Sequence, residues 1–330
     1  MTYLVIGGAG YIGSHTVYEL IENNNKVVIL DNLTTGSNSS IHPEAKFYEG
    51  DFKDKKILNK IFDENKEIEI VINFAASIVV SESVYEPLKY YLNNTYGVMI
   101  LLESMKENNK KFLIFSSTAA VYGQKSNLPI REDEDLNPIN PYGSSKQMSE
   151  KIIQDYAHVN DFKFAILRYF NVAGAHQNNS IGLVPKKGHK VSHLIPSISS
   201  FVFNELDSLK IFGNNYDTKD GTCIRDYIHV QDLAHAHFLA AKYIFENKTN
   251  LIVNVGSEKG FSVLEVVKTF EKQLNKKLNY EINPKRDGDP AFLVASTTKI
   301  AKILNFKPKF SLEEIVKTEL AWRKKILKDK

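Results

Sequence analysis

Tyr142 and Lys146 stand four residues apart in the run Tyr-Gly-Ser-Ser-Lys. On a helix that spacing puts phenol and ammonium on one face. A phenol of ordinary pKa near 10 is a weak base at neutral pH, and bringing it to about 7 takes roughly 4 kcal/mol of phenolate stabilisation. Lys146 can supply part of that, and a cationic ring brought beside it the rest. The spacing by itself also occurs on surface helices, so its neighbours in the sequence decide its meaning. Phe115-Ser116-Ser117-Thr118 closes an apolar run, and a hydroxyl at such a strand end can hydrogen-bond an oxygen that gains or loses a proton. Phenol, lysine and hydroxyl together suit proton transfer at an alcohol carbon.

The elements that must position these groups are those of a dinucleotide site. Gly7-Gly8-Ala9-Gly10-Tyr11-Ile12-Gly13 follows an apolar strand and opens a helix, with its glycines at 7, 10 and 13 in GxxGxxG spacing. A tight turn there brings backbone N–H groups and the positive helix end against a pyrophosphate, and a Cβ at Gly10 or Gly13 would hold the anion or the helix away. The alternative is a strand-to-helix turn with no ligand. Asp31 ends the second strand, 18 residues after Gly13, where a carboxylate holds both adenine-ribose hydroxyls and repels a 2′-phosphate, which favours NAD over NADP. Asp51 is open to two readings, contact with an adenine amino group beside Phe52 or a helix cap.

Short β-branched runs at 3–6, 27–30, 46–49, 70–73, 112–116 and 164–168 alternate with helical stretches at 13–22, 55–64, 87–107 and 142–158. This predicts an α/β fold, a doubly wound parallel sheet of Rossmann type with a smaller C-terminal α/β domain. The segment 174–190 reads as a long loop, 230–245 as a helix, 251–255 as a strand and 311–330 as a closing amphipathic helix. The expected division is 1–172, with 225–255 contributed back to it, against 173–224 and 256–330.

With 330 residues, 43% hydrophobic and 25% charged, the chain has an ordinary globular composition, and disordered or fibrous classes drop out. A net charge of +3 gives no support to nucleic-acid binding. The single cysteine, Cys223, makes neither a disulfide nor a CxxC site, and His235 and His237, two apart, point about 200° apart on a helix, so no metal site is expected. Residues 1–10 lack the basic start and apolar length of a signal peptide, and the apolar runs are too short to span a bilayer, so a cytoplasmic protein without membrane partners is expected.

GxxGxxG, Asp31, a Ser-Ser-Thr strand end and Tyr-x-x-x-Lys in that order resemble the extended short-chain dehydrogenase/reductase family. The runs 7–14 (GGAGYIGS), 116–123 (SSTAAVYG), 167–176 (LRYFNVAGAH), 220–230 (DGTCIRDYIHV) and 286–289 (RDGD) narrow the resemblance to its nucleotide-sugar C4 epimerases, over residues 3–325. What it implies is NAD-dependent C4 epimerisation of UDP-glucose and UDP-galactose through a 4-keto sugar. Tyr142 would take the C4 hydroxyl proton, Thr118 bridge the sugar oxygen and Tyr142, and Lys146 hold the nicotinamide ribose.

By the same resemblance Gly7, Gly10, Tyr11, Ile12 and Gly13, the loop Asp31, Asn32, Leu33, Thr34, Thr35 and Gly36, then Asp51 and Phe52 would line the NAD. The segment Phe74, Ala75, Ala76, Ser77 and Ile78, with Asn93 and Phe170, would complete that lining. Ser116, Asn171, His193 and Leu194 would meet the sugar and diphosphate, and Lys210, Ile211 and Phe212 the uracil. Guanidiniums at Arg225 and Arg286 suit two phosphates in a partly dry cleft, and Asp289 would take the uridine ribose. Read singly, Arg225 could equally pair with Asp226, and Asn171 could be a turn residue. Members commonly form homodimers through two long helices, here 87–107 and 142–158.

Three departures from the family pattern stand out. Phe-Ala-Ala-Ser-Ile at 74–78 lacks a lysine usual near the NAD phosphates, which points to looser cofactor retention, and His193 replaces a frequent Asn. The stretch 290–294 is one residue short, so either Phe292 or Leu293 takes the place of a Tyr that closes the sugar pocket in glucose-restricted members. With Leu293 there, UDP-GlcNAc and UDP-GalNAc are expected to fit. A dehydratase or decarboxylase of the same scaffold needs further acid–base groups, whereas Thr118 is followed by Ala119 and Ala120. A non-catalytic NAD sensor would have no need of Tyr142, Lys146 and Thr118 together.

Overall fold

A computed structural model describes residues 1–125, 127–186, 193–286 and 289–328. Parts of three sequence expectations, 187–190 of the long loop, 287–288 of the RDGD run and 329–330 of the tail, lie outside the described residues. The first half alternates β1 (Thr2–Ile6), α1 (Tyr11–Glu22), β2 (Lys26–Asp31), β3 (Lys46–Glu49), α2 (Lys55–Glu64) and β4 (Ile70–Asn73). Next come α3 (Val80–Tyr85), α4 (Pro87–Tyr90), α5 (Gly97–Glu107), β5 (Phe112–Thr118), α6 (Pro141–Val159), β6 (Lys163–Tyr169) and β7 (Asn171–Ala173). The rest of the chain gives α7 (Leu194–Val202), β8 (Lys210–Phe212), β9 (Ile224–His229), α8 (Val230–Asn247), β10 (Leu251–Val255), β11 (Gly260–Ser262) and α9 (Val263–Leu274). It closes with β12 (Glu281–Asn283), β13 (Phe292–Leu293), α10 (Thr298–Leu304) and α11 (Leu312–Lys328).

The main sheet is seven-stranded and parallel, in the order β10-β6-β5-β4-β1-β2-β3. Strand order reverses between β1 and β4, and ligands of such sheets sit at the carboxyl edge of that switch point. One face buries Val17 and Leu20 of α1 against Leu233, Ala236, Ala240 and Ile244 of α8. The other packs Leu58 and Ile61 of α2, Leu101 and Met105 of α5 and Ile153 of α6. Strands buried on both faces read as continuous apolar runs, as Tyr-Leu-Val-Ile of β1 does. A second apolar cluster, around Ile195, Ile211, Tyr227, Phe270 and Ile315, carries the C-terminal elements.

Two expectations change in detail. The helix expected over 87–107 is interrupted by a π-helical stretch, Tyr91–Tyr96, which turns Asn94 into the protein. Segment 225–229 does not join the main sheet, since β9 pairs with β7, β11 and β13 in a small separate one, and the return to the main sheet is made by α8 and β10. The reason is local: the Asp226 carboxylate takes the backbone N–H groups of Ser257, Glu258 and Ala295, which ties β9 to the small sheet. No helix among the described residues is long and apolar enough to cross a membrane.

Candidate active site

Gly7 has φ +79°, a conformation that favours glycine, and a Cβ there would sit 2.9 Å from the Ala75 nitrogen. A Cβ at Gly13 would come 2.1 Å from the Gly7 oxygen. These contacts let α1 start hard against the carboxyl end of β1. No side chain caps α1, whose N-cap is Gly10, so its first N–H groups face outward from the switch point. Asp31 receives Ala9 N at 3.0 Å and Leu33 N at 2.8 Å, which fixes the carboxylate beside the glycine turn. Asn32, Thr34 and Thr35 are exposed on the rim of that loop, and Gly36 is buried against Asp31.

Asp51 is not the cap of α2. That role belongs to Asp54, which accepts from Lys56 N, while Asp51 accepts from Lys53 N at 2.9 Å and pairs with the Lys53 ammonium at 3.3 Å. Phe52 is buried beside it. The 74–78 segment is stitched to the π-helical stretch: Ser77 N donates to Asn94 Oδ1 at 2.8 Å, and Asn93 Nδ2 to Ser77 Oγ at 3.2 Å. Asn94 also donates to Ser145 Oγ of α6 at 3.0 Å. Ile78 is largely exposed. Asn73 Nδ2, at the carboxyl end of β4, is buried without a partner. A dinucleotide fits these features, an uncapped helix start, a glycine cradle that a Cβ would fill, a fixed carboxylate and a spare amide donor.

Thr118, Tyr142 and Lys146 meet at the carboxyl end of β5. Thr118 Oγ1 accepts from Ala120 N at 3.1 Å and its hydroxyl hydrogen-bonds the Tyr142 phenol. Lys146 Nζ donates to the Ser116 carbonyl at 2.8 Å and lies 4.8 Å from the centre of the Phe115 ring. Burial pushes the Tyr142 phenol up to about 12, against the pull of the Thr118 hydrogen bond. Burial likewise lowers Lys146 to about 7, opposed by the Glu150 charge. The depressed phenol expected from Lys146 is therefore not reached, because desolvation outweighs the Thr118 hydrogen bond.

Behind the trio lies a buried polar network that sequence reasoning missed. Glu150 of α6 receives Arg168 Nη2 at 2.7 Å and Nε at 3.1 Å, and the Ser117 hydroxyl as well. Arg168 Nη1 donates to Tyr122 Oη at 3.0 Å, which in turn donates to Asn254 Oδ1 at 2.7 Å. Glu150 stands four residues after Lys146 on α6, and that spacing was the one available signal.

On the C-terminal side Arg225 is ion-paired to Asp289, so the Arg225–Asp226 pairing does not form. Arg286 stacks over Phe212 at 4.1 Å. Ile211 is buried in the C-terminal cluster, whereas Lys210 is exposed, opposite Glu281 of β12. Asn171 opens β7 opposite Tyr227 and is not a turn residue, and Leu293 lies opposite Arg225 across β9. Leu293, Ala119, Tyr122 and Phe170 share one apolar cluster, which places Leu293 rather than Phe292 near the Thr118 end of β5. His193 stands at the N-cap of α7, with Leu194 in its first turn. Among the described residues no group of three or more His, Cys, Asp or Glu could hold a metal.

Residues 3–256 match the model of the NAD dependent epimerase/dehydratase family. The chain is 45% identical to the UDP-glucose 4-epimerase of Lactobacillus helveticus, over 98% of this chain and 97% of that one. It is also similar to the solved UDP-glucose-4-epimerase of Stenotrophomonas maltophila with bound NAD and formylated UDP-arabinopyranose, with TM-score 0.96, 34% identity and 100% of both chains covered. The UDP-Glc/GlcNAc 4-epimerase of Campylobacter jejuni is a further neighbour, at 41% identity and TM-score 0.85, with 98% of this chain and 99% of that one covered.

Proposed function

Because the chain belongs to the NAD dependent epimerase/dehydratase family, we propose that it interconverts UDP-glucose and UDP-galactose by inverting C4 of the sugar, with NAD as its bound cofactor. The observation that carries this reading is the arrangement at the end of β5, the Thr118 hydroxyl bonded to the Tyr142 phenol with Lys146 seated on the Ser116 carbonyl, followed by two alanines with no acid–base capacity. NAD supplies reversible hydride acceptance at C4. Tyr142 exchanges the C4 hydroxyl proton, Thr118 orients it, and Lys146 contributes charge and a ribose contact. The sugar passes through a 4-keto form and is reduced on its other face.

The uncapped start of α1 with Gly7, Gly10 and Gly13 holds the pyrophosphate, Asp31 the adenine ribose, and Asp51 with Phe52 the adenine. The segment 74–78, Asn93 and Phe170 complete the NAD lining, and the missing lysine at Ile78 loosens retention. Arg225, Arg286 and Asn171 take the substrate diphosphate, with Phe212 and Asp289 around the uridine. In this reading 1–172 with α8 and β10 bind the dinucleotide, and 173–224 with 256–330 bind the UDP-sugar. Tyr85 at the end of α3, Leu88 in α4 and Leu92 in the π-helical stretch are exposed apolar side chains and support a homodimer; a cytoplasmic location completes the reading.

A second substrate pair has its own support. Leu293 lines the sugar end where a larger ring would close it, and a 41%-identical neighbour is a UDP-Glc/GlcNAc epimerase. Coupled assays with UDP-galactose and with UDP-GalNAc, each with and without added NAD, test both. Turnover of UDP-galactose is expected, with UDP-GalNAc also converted. No turnover of either with NAD present would refute the reading, and turnover of UDP-galactose alone would refute the wider pocket.

A further inference from the structure

β5 runs three residues past its last pairing with β4. Phe115 lies opposite Asn73, whereas Ser116, Ser117 and Thr118 pair only with Leu167, Arg168 and Tyr169 of β6. This half-flanked end presents Thr118, and its Ser116 carbonyl receives Lys146. Successive strand side chains point to opposite faces, so Ser116 and Ser117 can be fastened from the two sides of the sheet. Ser117 is held by Glu150 of α6. Ser116 Oγ lies 2.8 Å from Nε2 of His237, a fully buried residue of α8.

The hydrogen bonds of His237 fix its tautomer. Its Nδ1 is 2.8 Å from the Leu233 carbonyl oxygen, which can only accept, so Nδ1 carries the proton. Burial keeps the ring neutral at pH 7, with its pKa lowered to about 4. Nε2 is then an acceptor, and the Ser116 hydroxyl must donate to it. The Tyr169 hydroxyl also hydrogen-bonds Ser116. Around the ring lie Phe74 at 4.7 Å and Tyr169 at 6.3 Å between centroids. A hydrocarbon side chain would suit these apolar neighbours without burying two nitrogens, a burial that costs free energy unless both are bonded. What histidine adds is the acceptor for Ser116.

We propose that His237 is a positioning residue for the C4 chemistry: as the Nδ1–H imidazole it fixes Ser116, and through it the carbonyl that seats Lys146 and the strand end that presents Thr118 to Tyr142. The inference rests on the epimerase reading of this site. Both ring nitrogens are committed to hydrogen bonds, so His237 has no lone pair to offer a metal.

Two variants of the full chain loaded with NAD test it. His237→Phe keeps an aromatic ring, somewhat larger than the imidazole, and removes the acceptor, and His237→Gln places an amide oxygen near the Nε2 position without added bulk. With UDP-galactose, His237→Phe is expected to lower kcat about 10- to 100-fold with KM unchanged, since small misplacements of reacting groups cost that much. His237→Gln should recover most of the loss. A His237→Phe protein with wild-type kcat and only a lower thermal midpoint would make the residue a packing element and overturn the proposal. So would equal losses in both variants. Imidazole 15N spectra of the wild type supply a readout independent of turnover. One ring should be protonated at Nδ1, remain untitrated from about pH 5 to 9, and shift at Nε2 in Ser116→Ala. A His237 ring protonated at Nε2, or titrating like an ordinary histidine, overturns the proposal. A wild type that converts no UDP-sugar refutes the epimerase reading instead, and the 15N result then decides the role of His237.

Discussion

Lys146→Met is expected to abolish turnover and to make the nucleotide-free protein more stable at neutral and acid pH. Burial lowers the Lys146 pKa from 10.5 to about 7. That displacement corresponds to about 5 kcal/mol at about 1.4 kcal/mol per pH unit. Methionine forfeits the hydrogen bond to the Ser116 carbonyl, about 1–3 kcal/mol, and the contact with the Phe115 ring, about 1 kcal/mol. A net gain of about 2 kcal/mol remains at pH 6. Below about pH 7 folded and unfolded chains both carry the proton and the burial cost is felt in full. Between about 7 and 10.5 the unfolded chain holds a proton that the folded chain has released, so this group makes stability rise with pH. Above 10.5 it contributes no slope. The tyrosines raised by burial titrate alike in both proteins, so the difference between them isolates Lys146. Urea unfolding followed by fluorescence of Trp322, the only tryptophan, at half-unit steps from about pH 6 to 10 measures it. The Met variant should lead at pH 6 and lose its lead near pH 9. Superimposable slopes, or a Met variant less stable at pH 6, would refute the reasoning.

Tyr142→Phe keeps the ring in its buried site and removes the proton carrier; kcat for UDP-galactose should fall about 10²- to 10⁴-fold with an unchanged circular dichroism spectrum. Gly13→Ala places a methyl 2.1 Å from the Gly7 oxygen. The strain, about 1–3 kcal/mol, should appear as roughly 5- to 150-fold weaker NAD binding by titration calorimetry. Glu150→Gln strands the Arg168 guanidinium in a buried site, and its urea midpoint should drop by the equivalent of about 3–5 kcal/mol. A loss below about 1 kcal/mol there would mean that Tyr122 and the backbone already satisfy the charge.

The parts of the site written in consecutive residues are legible in the sequence. The glycine turn, Asp31 and the Tyr142–Lys146 face each depend on spacing within one turn or one βαβ unit, and the parallel sheet follows from the alternation of apolar strands with helices. What stayed hidden depends on partners far apart in the chain. Ser116 meets His237 across 121 residues, and Arg168 meets Glu150 across 18, so neither pairing has a local pattern. The π-helical stretch is hidden for a related reason. Its apolar positions keep a helical period, and only the packing of Asn94 against Ser77 and Ser145 reveals the extra residue in the turn.

Arg225 shows how a strand's periodicity settles what adjacency suggests wrongly. Neighbours in a strand point to opposite faces, so Arg225 and Asp226 cannot pair with each other easily, although they stand side by side in the sequence. Arg225 turns toward Asp289, and Asp226 turns inward to the backbone of 257, 258 and 295. One strand thus separates a cation paired with Asp289 from an anchor for the small sheet. The same logic acts on β5, where Ser116 and Ser117 face different helices. A strand end needs fastening on both faces before it can hold the Thr118 hydroxyl in place, and the two fastenings here are the buried side chains of Glu150 and His237. Both hold the strand from segments far away in the chain, 33 residues for Ser117–Glu150 and 121 for Ser116–His237, and that is what the sequence alone could not disclose.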